Sequence, residues 1–230
     1  MKALILLVEG ETEQEFVNRI LAPYLVSRGL NAEIRPIMIK MSGGGHGYNN
    51  ILHLRNTIRP VLNRADQPIV TTLIDHYGIN SERKLPGYAA ITTIDPEERI
   101  KQMEDILSSE IQKIKPYRFF IPYIQRHEFE TLLFANPDKG FEYEDDKIKE
   151  DVIELCNQFD SIEDINCTPE GAPSKRIGRI YEAHKKKYNK VSDAVDIIEL
   201  TGIEAVLEKC PRFKNWVEKL IVEVSREVQL

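Results

Sequence analysis

The sequence predicts an α/β protein, a mostly parallel sheet flanked by helices with a helical C-terminal extension. Three observations predict it. Strand-like runs alternate with helical periodicity in the order β-α-β-α-β-α-β-α over residues 1–136. The first run, ALILLV, is apolar without in-out alternation, as expected of a strand covered on both faces. Beyond Pro137 no further strand is evident, and helical patterns at 145–159, 173–188 and 211–226 take over. Alternation of this kind argues a parallel sheet with helices on its faces. The expected division is an α/β core over 1–136 and a helical extension over 137–230.

The elements follow in order. Residues 3–8 form the first strand. Residues 11–28 carry Phe16, Val17, Ile20, Leu21, Tyr24 and Leu25 at helical spacing, with acids in the first turn where the helix dipole favours them. Residues 32–39 (AEIRPIMI) read as a second strand, and Pro36 favours an edge position. The stretch MSGGGHGYNN (41–50) is a loop. Helical spacing returns over 51–64, with Pro60 predicting a kink or an early end. Residues 69–74 (IVTTLI) are a β-branched strand ending at Asp75. A loop over 78–96 precedes an amphipathic helix at 97–114. Residues 117–124 (YRFFIPYI) predict a fourth strand, and 127–135 (HEFETLLFA) a short helix.

The net charge of −6 argues against broad electrostatic wrapping of nucleic acid but leaves room for a local basic groove. No apolar run approaches the roughly 20 residues that span a bilayer, and the N-terminus lacks a signal-peptide pattern, so no membrane role is expected. Cys156, Cys167 and Cys210 form neither a disulfide framework nor a zinc pattern, which makes a reducing cytoplasm the expected location and buried thiols the simplest reading. Phe213 and Trp216 read as core residues.

Parallel strands end on one edge of a sheet, and ligands bind outside that edge. Glu9 follows the first strand, Asp75 the third, and Glu128 with Glu130 the fourth. Clustered carboxylates repel one another unless a hard divalent cation neutralises them, and oxygen-rich sets suit magnesium or manganese. Such sites support phosphodiester cleavage. Taken singly, an acid after a strand is equally a turn or capping residue. Glu13 and Glu15, in the first helical turn, read as solvated charge. His127 and His76 read as capping or packing residues, with a proton-shuttling role as the alternative. The GGGHG loop lacks the Lys-Ser/Thr ending of a P-loop and reads as a mobile loop over the site. Lys175 and Arg176 open a predicted helix, where cations are unfavourable on dipole grounds. That misfit selects them from the basic run 175–187 as candidate nucleic-acid contacts.

VEGETEQEF (Val8 to Phe16) resembles the opening motif of Toprim-fold proteins, in which a strand ends in Glu-Gly and a helix follows. LIDHYG (Leu73 to Gly78) resembles their later acidic motif. QRHEFETLLFA, APSKRI and CPRF-x-x-W are similar to the bacterial DUF4276 family, grouped with Toprim-like proteins of the overcoming-lysogenisation-defect type. The resemblance covers nearly the whole chain. It implies a Rossmann-like Toprim core and a magnesium- or manganese-dependent nuclease site in bacterial anti-phage defence or DNA maintenance. The general acid/base or metal-ligand role falls to Glu9, and a metal-ligand role to Asp75. Tyr77 stands where the family's second Asp is expected, and Glu128 is the residue that would compensate. Two functions stay open: a metal-dependent phosphodiesterase acting on nucleic acid, and a catalytically degenerate module that binds a partner ATPase or nucleic acid. A homodimer is left open.

Overall fold

The computed structural model describes residues 2–165 and 170–228. The chain packs as two compact units, Met1–Gln125 with Glu218–Leu230, and Arg126–Val217.

The first unit is built on an all-parallel five-stranded sheet. β1 (Ala3–Val8) lies between β2 (Glu33–Met38) and β3 (Ile69–Asp75). β3 also pairs with β4 (Phe120–Ile121) and β5 (Ile124–Gln125). Every residue of β1 is buried, which accounts for its unbroken apolar run. The register pairs Leu4 with Ile69 and Val8 with Leu73, so the exits of β1 and β3 lie side by side. β2 is an edge strand, as Pro36 predicts. Glu33 N donates to Lys2 O (3.2 Å) and Ile39 N to Val8 O (2.8 Å). Odd-numbered positions thus donate to β1, and the ring of Pro36 falls on the outward side, where no ladder bond is lost.

The helical run after β1 comprises α1 (Glu11–Phe16), a π-helical turn (Val17–Leu21) and α2 (Ala22–Ser27). In the widened turn, Ala22 N donates to Val17 O, five residues back. Pro23 follows directly; it has no N–H to give, and its ring would crowd a regular turn. α3 (Ile51–Leu62) is capped by Asn50, whose side chain accepts from Leu52 N, and it ends two residues after Pro60. α4 (Pro96–Ile114) begins at Asp95, which accepts from Glu98 N. Arg55 of α3 and Lys113 of α4 both pair with Glu110, which is only 1% exposed.

The single strand expected at 117–124 is two short ones, because Pro122 cannot donate at the centre of the run. Thr72 spans the break: its hydroxyl donates to Tyr123 O and accepts from Tyr123 N, both at 2.8 Å.

The second unit is helical. A 3-10 segment (Phe129–Phe134) leads to α5 (Pro137–Gly140), α6 (Asp146–Cys156), α7 (Pro173–Ala183), α8 (Lys190–Thr201) and α9 (Ile203–Lys209). α10 (Pro211–Val228) starts here and ends in the first unit. The helices expected at 145–159, 173–188 and 211–226 are all present, somewhat trimmed or extended. α8 and α9 carry no such expectation. α8 packs on α5 and the 3-10 segment and buries Ala194, Val195, Ile197 and Ile198. Phe213 and Trp216 are buried with ring centroids 5.3 Å apart, as core residues should be. Cys210 is buried and Cys156 half-buried, while Cys167 lies outside the described residues. No described helix is long and apolar enough to cross a membrane.

At the α5–α8 contact, a Cβ on Gly140 would meet Thr201 Oγ1 at 2.5 Å and Ile197 Cγ2 at 3.1 Å. Gly140→Ala should therefore lower stability by about 1–3 kcal/mol, read from urea unfolding, as overpacking does in a closed contact. An unchanged midpoint would mean that α5 and α8 do not approach this closely.

Candidate functional site

The site in the first unit begins at the β1 exit. Glu9 leaves the strand beside β3, and its Oε1 accepts the backbone N–H of Asp75 at 2.8 Å across 66 positions of sequence. Both residues are half-buried on the C-terminal edge of neighbouring parallel strands. The next residue, Gly10, donates its N–H to Glu13 Oε2 at 2.9 Å. Glu13 is therefore not the solvated charge that its place in a first helical turn suggested. It is 4% exposed, because the tight turn from β1 into α1 buries an amide that needs an acceptor. The ladder continues past Asp75, with His76 N donating to Gln125 O at 2.9 Å.

Two loops stand on this edge. Residues 39–47 fold back as a glycine hairpin: Lys40 bridges His46, Gly47 N donates to Ile39 O, and Met41 N to Gly45 O. Gly43, Gly44, Gly45 and Gly47 all have left-handed φ, a requirement that side chains at these positions would strain. The hairpin runs into Tyr48, which is 7% exposed and donates its hydroxyl to Lys84 O at 2.5 Å. Ile51 N donates to Arg83 O beside it, so the loop after β2 and the loop after β3 are clasped together. Burial first, and then the negative charge of Glu9, raises the Tyr48 phenol pKa, with Arg55 opposing. The phenol therefore stays protonated and remains a donor. Tyr77 is half-buried on the same loop as Asp75.

The other sequence-derived candidates belong to the second unit. Glu128 is 7% exposed, and its Oε2 accepts the N–H of Ser174, the second residue of α7, at 2.9 Å. A carboxylate there satisfies an amide that has no partner within the helix and complements the positive end of the helix dipole. It also places an anion on the helix start where Lys175 and Arg176 seemed misplaced. Lys175 is exposed and Arg176 half-buried. His127 is 4% exposed in a left-handed conformation that non-glycine residues rarely adopt. Its Nε2 lies 2.8 Å from Glu163 O, and since a carbonyl only accepts, Nε2 carries the proton. Burial, and then the charge of Arg126, lowers the His127 pKa, so the ring is a neutral packing residue. Glu130 is fully buried with Lys190 Nζ 3.1 Å away, and burial raises its pKa.

The structure thus brings Glu9 and Asp75 together. Both are hard oxygen donors of the type that, one or two at a time with water and substrate phosphate, commonly holds magnesium. Among the described residues no group of three or more His, Cys, Asp or Glu side chains could form an all-protein cage. Sequence reasoning missed the Tyr48–Lys84 clasp, which has no local signal. It also missed the cap by Glu13, although an acid three residues after a strand-ending glycine is a readable capping signature.

A family model described as "Domain of unknown function (DUF4276)" matches residues 8–221 of the chain. No curated protein matches it. No solved structure matches it.

Removal of the Glu128 carboxylate should expose its role. Glu128→Ala should cost about 0.5–2 kcal/mol in chemical denaturation, as the loss of a helix N-terminal acceptor does, whereas Glu128→Gln, which keeps an acceptor, should cost much less. Equal stabilities for the two variants would show that the α7 amide does not depend on this side chain.

Proposed function

The chain belongs to the DUF4276 family, and we propose that it is a Toprim-like, divalent-metal-dependent phosphodiesterase acting on nucleic acid. One observation carries the reading: Asp75 N reaches Glu9 Oε1 at 2.8 Å, so two carboxylates leave adjacent parallel strands on the edge where ligands bind. Magnesium or manganese bound there supplies neutralisation of phosphate charge and activation of water. Asp75 contributes a ligand oxygen. Glu9, held against the β3 exit by the Asp75 amide, contributes a ligand oxygen or exchanges a proton with the attacking or leaving oxygen. The reaction consumes one water and leaves a phosphomonoester and a hydroxyl. The Tyr48 clasp and the glycine hairpin keep the neighbouring loops in place. Glu128, the third carboxylate expected from the sequence, belongs to the second unit and serves the start of α7.

A second reading has its own support. Tyr77 stands where the Toprim motif that the sequence resembles has its second acidic residue, and a phenol is a poor magnesium ligand. A module of this kind would bind a partner ATPase or nucleic acid without cutting.

Purified protein incubated with supercoiled plasmid, single-stranded DNA and tRNA should give cleavage products with magnesium or manganese and none with EDTA. Glu9→Gln retains an acceptor for the Asp75 amide while removing the charge. It should therefore lower cleavage by roughly 10²–10⁴-fold without unfolding the edge. Asp75→Asn should do likewise. Absence of metal-dependent product from every substrate, together with no heat of magnesium binding at millimolar concentration, would replace the enzyme with the binding module.

A further inference from the structure

The second unit contains a cleft that the phosphodiesterase reading does not use. α6 and α7 leave a cavity of about 310 Å³, with Asp151 and Glu154 on the α6 wall and Arg176 and Arg179 on the α7 wall. The two arginines are three residues apart and share one helix face. Each is held by a carbonyl of the turn before the helix. Arg176 Nε donates to Gly171 O at 2.7 Å, and a terminal N–H of Arg179 donates to Glu170 O at 2.6 Å. Arg176 also stands over the ring of Phe159, 5.4 Å from its centroid. Those contacts fix the two groups in space without neutralising them. Among the described residues neither guanidinium is paired with a carboxylate, and the undescribed residues 166–169 contain no acid. Asp151 on the opposite wall is engaged elsewhere, 2.7 Å from His184 Nε2. Burial, and then repulsion from Arg179, lowers the Arg176 pKa, as expected for a charge that lacks an anion.

Holding two like charges together is costly unless something else is gained. A planar guanidinium presents paired N–H groups that match phosphate oxygens, and two of them side by side form a receptor for a phosphoryl group. The cavity is at the small end of ligand pockets, which begin near 300 Å³, and suits one nucleotide-sized ligand. Lys175, the other basic residue singled out from the sequence, is absent from the cleft lining and borders a neighbouring hollow with Glu170, Arg179 and Glu182. We propose that the α6–α7 cleft binds the phosphoryl group of a nucleotide, free or at the end of a single strand, with Arg176 and Arg179 as its ligands. The site does not depend on Glu9, Asp75 or a metal.

The test is calorimetry in EDTA at low salt, using the Glu9→Gln/Asp75→Asn variant so that the first unit's carboxylate pair is out of play. The probes are AMP, adenosine and a 5′-phosphorylated single-stranded oligonucleotide. AMP should bind saturably and adenosine should not. Arg179→Ala, at an exposed position, and Arg176→Lys, which keeps charge but loses the fork, should each weaken binding at least roughly tenfold. Lys175→Ala should change it by less than about twofold, the scale of a remote surface charge. A much tighter oligonucleotide with the same arginine dependence would assign the site to strand ends, and equal affinities would assign it to free nucleotides. No saturable heat from AMP or the oligonucleotide up to about 10 mM, well above the weakest useful affinities, would overturn the proposal. So would arginine variants that bind as the parent does, or a Lys175→Ala loss as large as theirs. Thermal unfolding of each variant separates loss of binding from loss of fold, and Arg179→Ala decides the outcome if Arg176→Lys is unstable.

Discussion

The hydrogen bond from the Asp75 amide to Glu9 is the constraint on which the first unit's site depends. It exists because β1 and β3 are immediate parallel neighbours in a fixed register. Neighbouring strands lie about 4.8 Å apart, so a side chain leaving one can reach the backbone leaving the next, whereas an intervening strand would double the span. The bond also orients the Glu9 carboxylate along the sheet edge. The side chain at the end of the most buried strand is therefore set by backbone geometry rather than by the mobile balance of solvent and charge.

Much of this arrangement could be read from the sequence. β1 was legible because a strand buried on both faces has no polar residue to break its pattern. β2 was legible as an edge because Pro36 is tolerated there. The meeting of Glu9 and Asp75 followed from parallel topology alone. The split at Pro122 was harder, since FIPYI has strand-like composition throughout and the remedy comes from Thr72, some fifty residues away. Glu128 illustrates a different limit. Its place after the fourth expected strand suggested the sheet edge, and its partner in the structure is the first turn of α7. Helix starts draw in carboxylates wherever the chain brings one within reach, and no local pattern reveals a partner 46 positions away.

Charge is distributed in this protein by local pairing. Glu13 answers a turn amide, Glu110 answers Arg55 and Lys113, and Glu130 answers Lys190, the first residue of α8. Glu13 and Glu110 accept hydrogen bonds, and Glu130 lies 3.1 Å from an ammonium, which offsets part of the cost of burying a carboxylate. The α7 pair departs from that habit. Arg176 and Arg179 are anchored through carbonyls, which fix position but supply no countercharge. A net charge of −6 gives no hint of this pair.

The outward-facing ring of Pro36 has a consequence for how copies of this chain can meet. A β2 margin lacking one amide at its middle, with Glu33 and Arg35 exposed along it, offers an incomplete template to any incoming polypeptide. Extension of the sheet from one molecule into the next through this side is disfavoured. Fibrous aggregation by that route is disfavoured for the same reason.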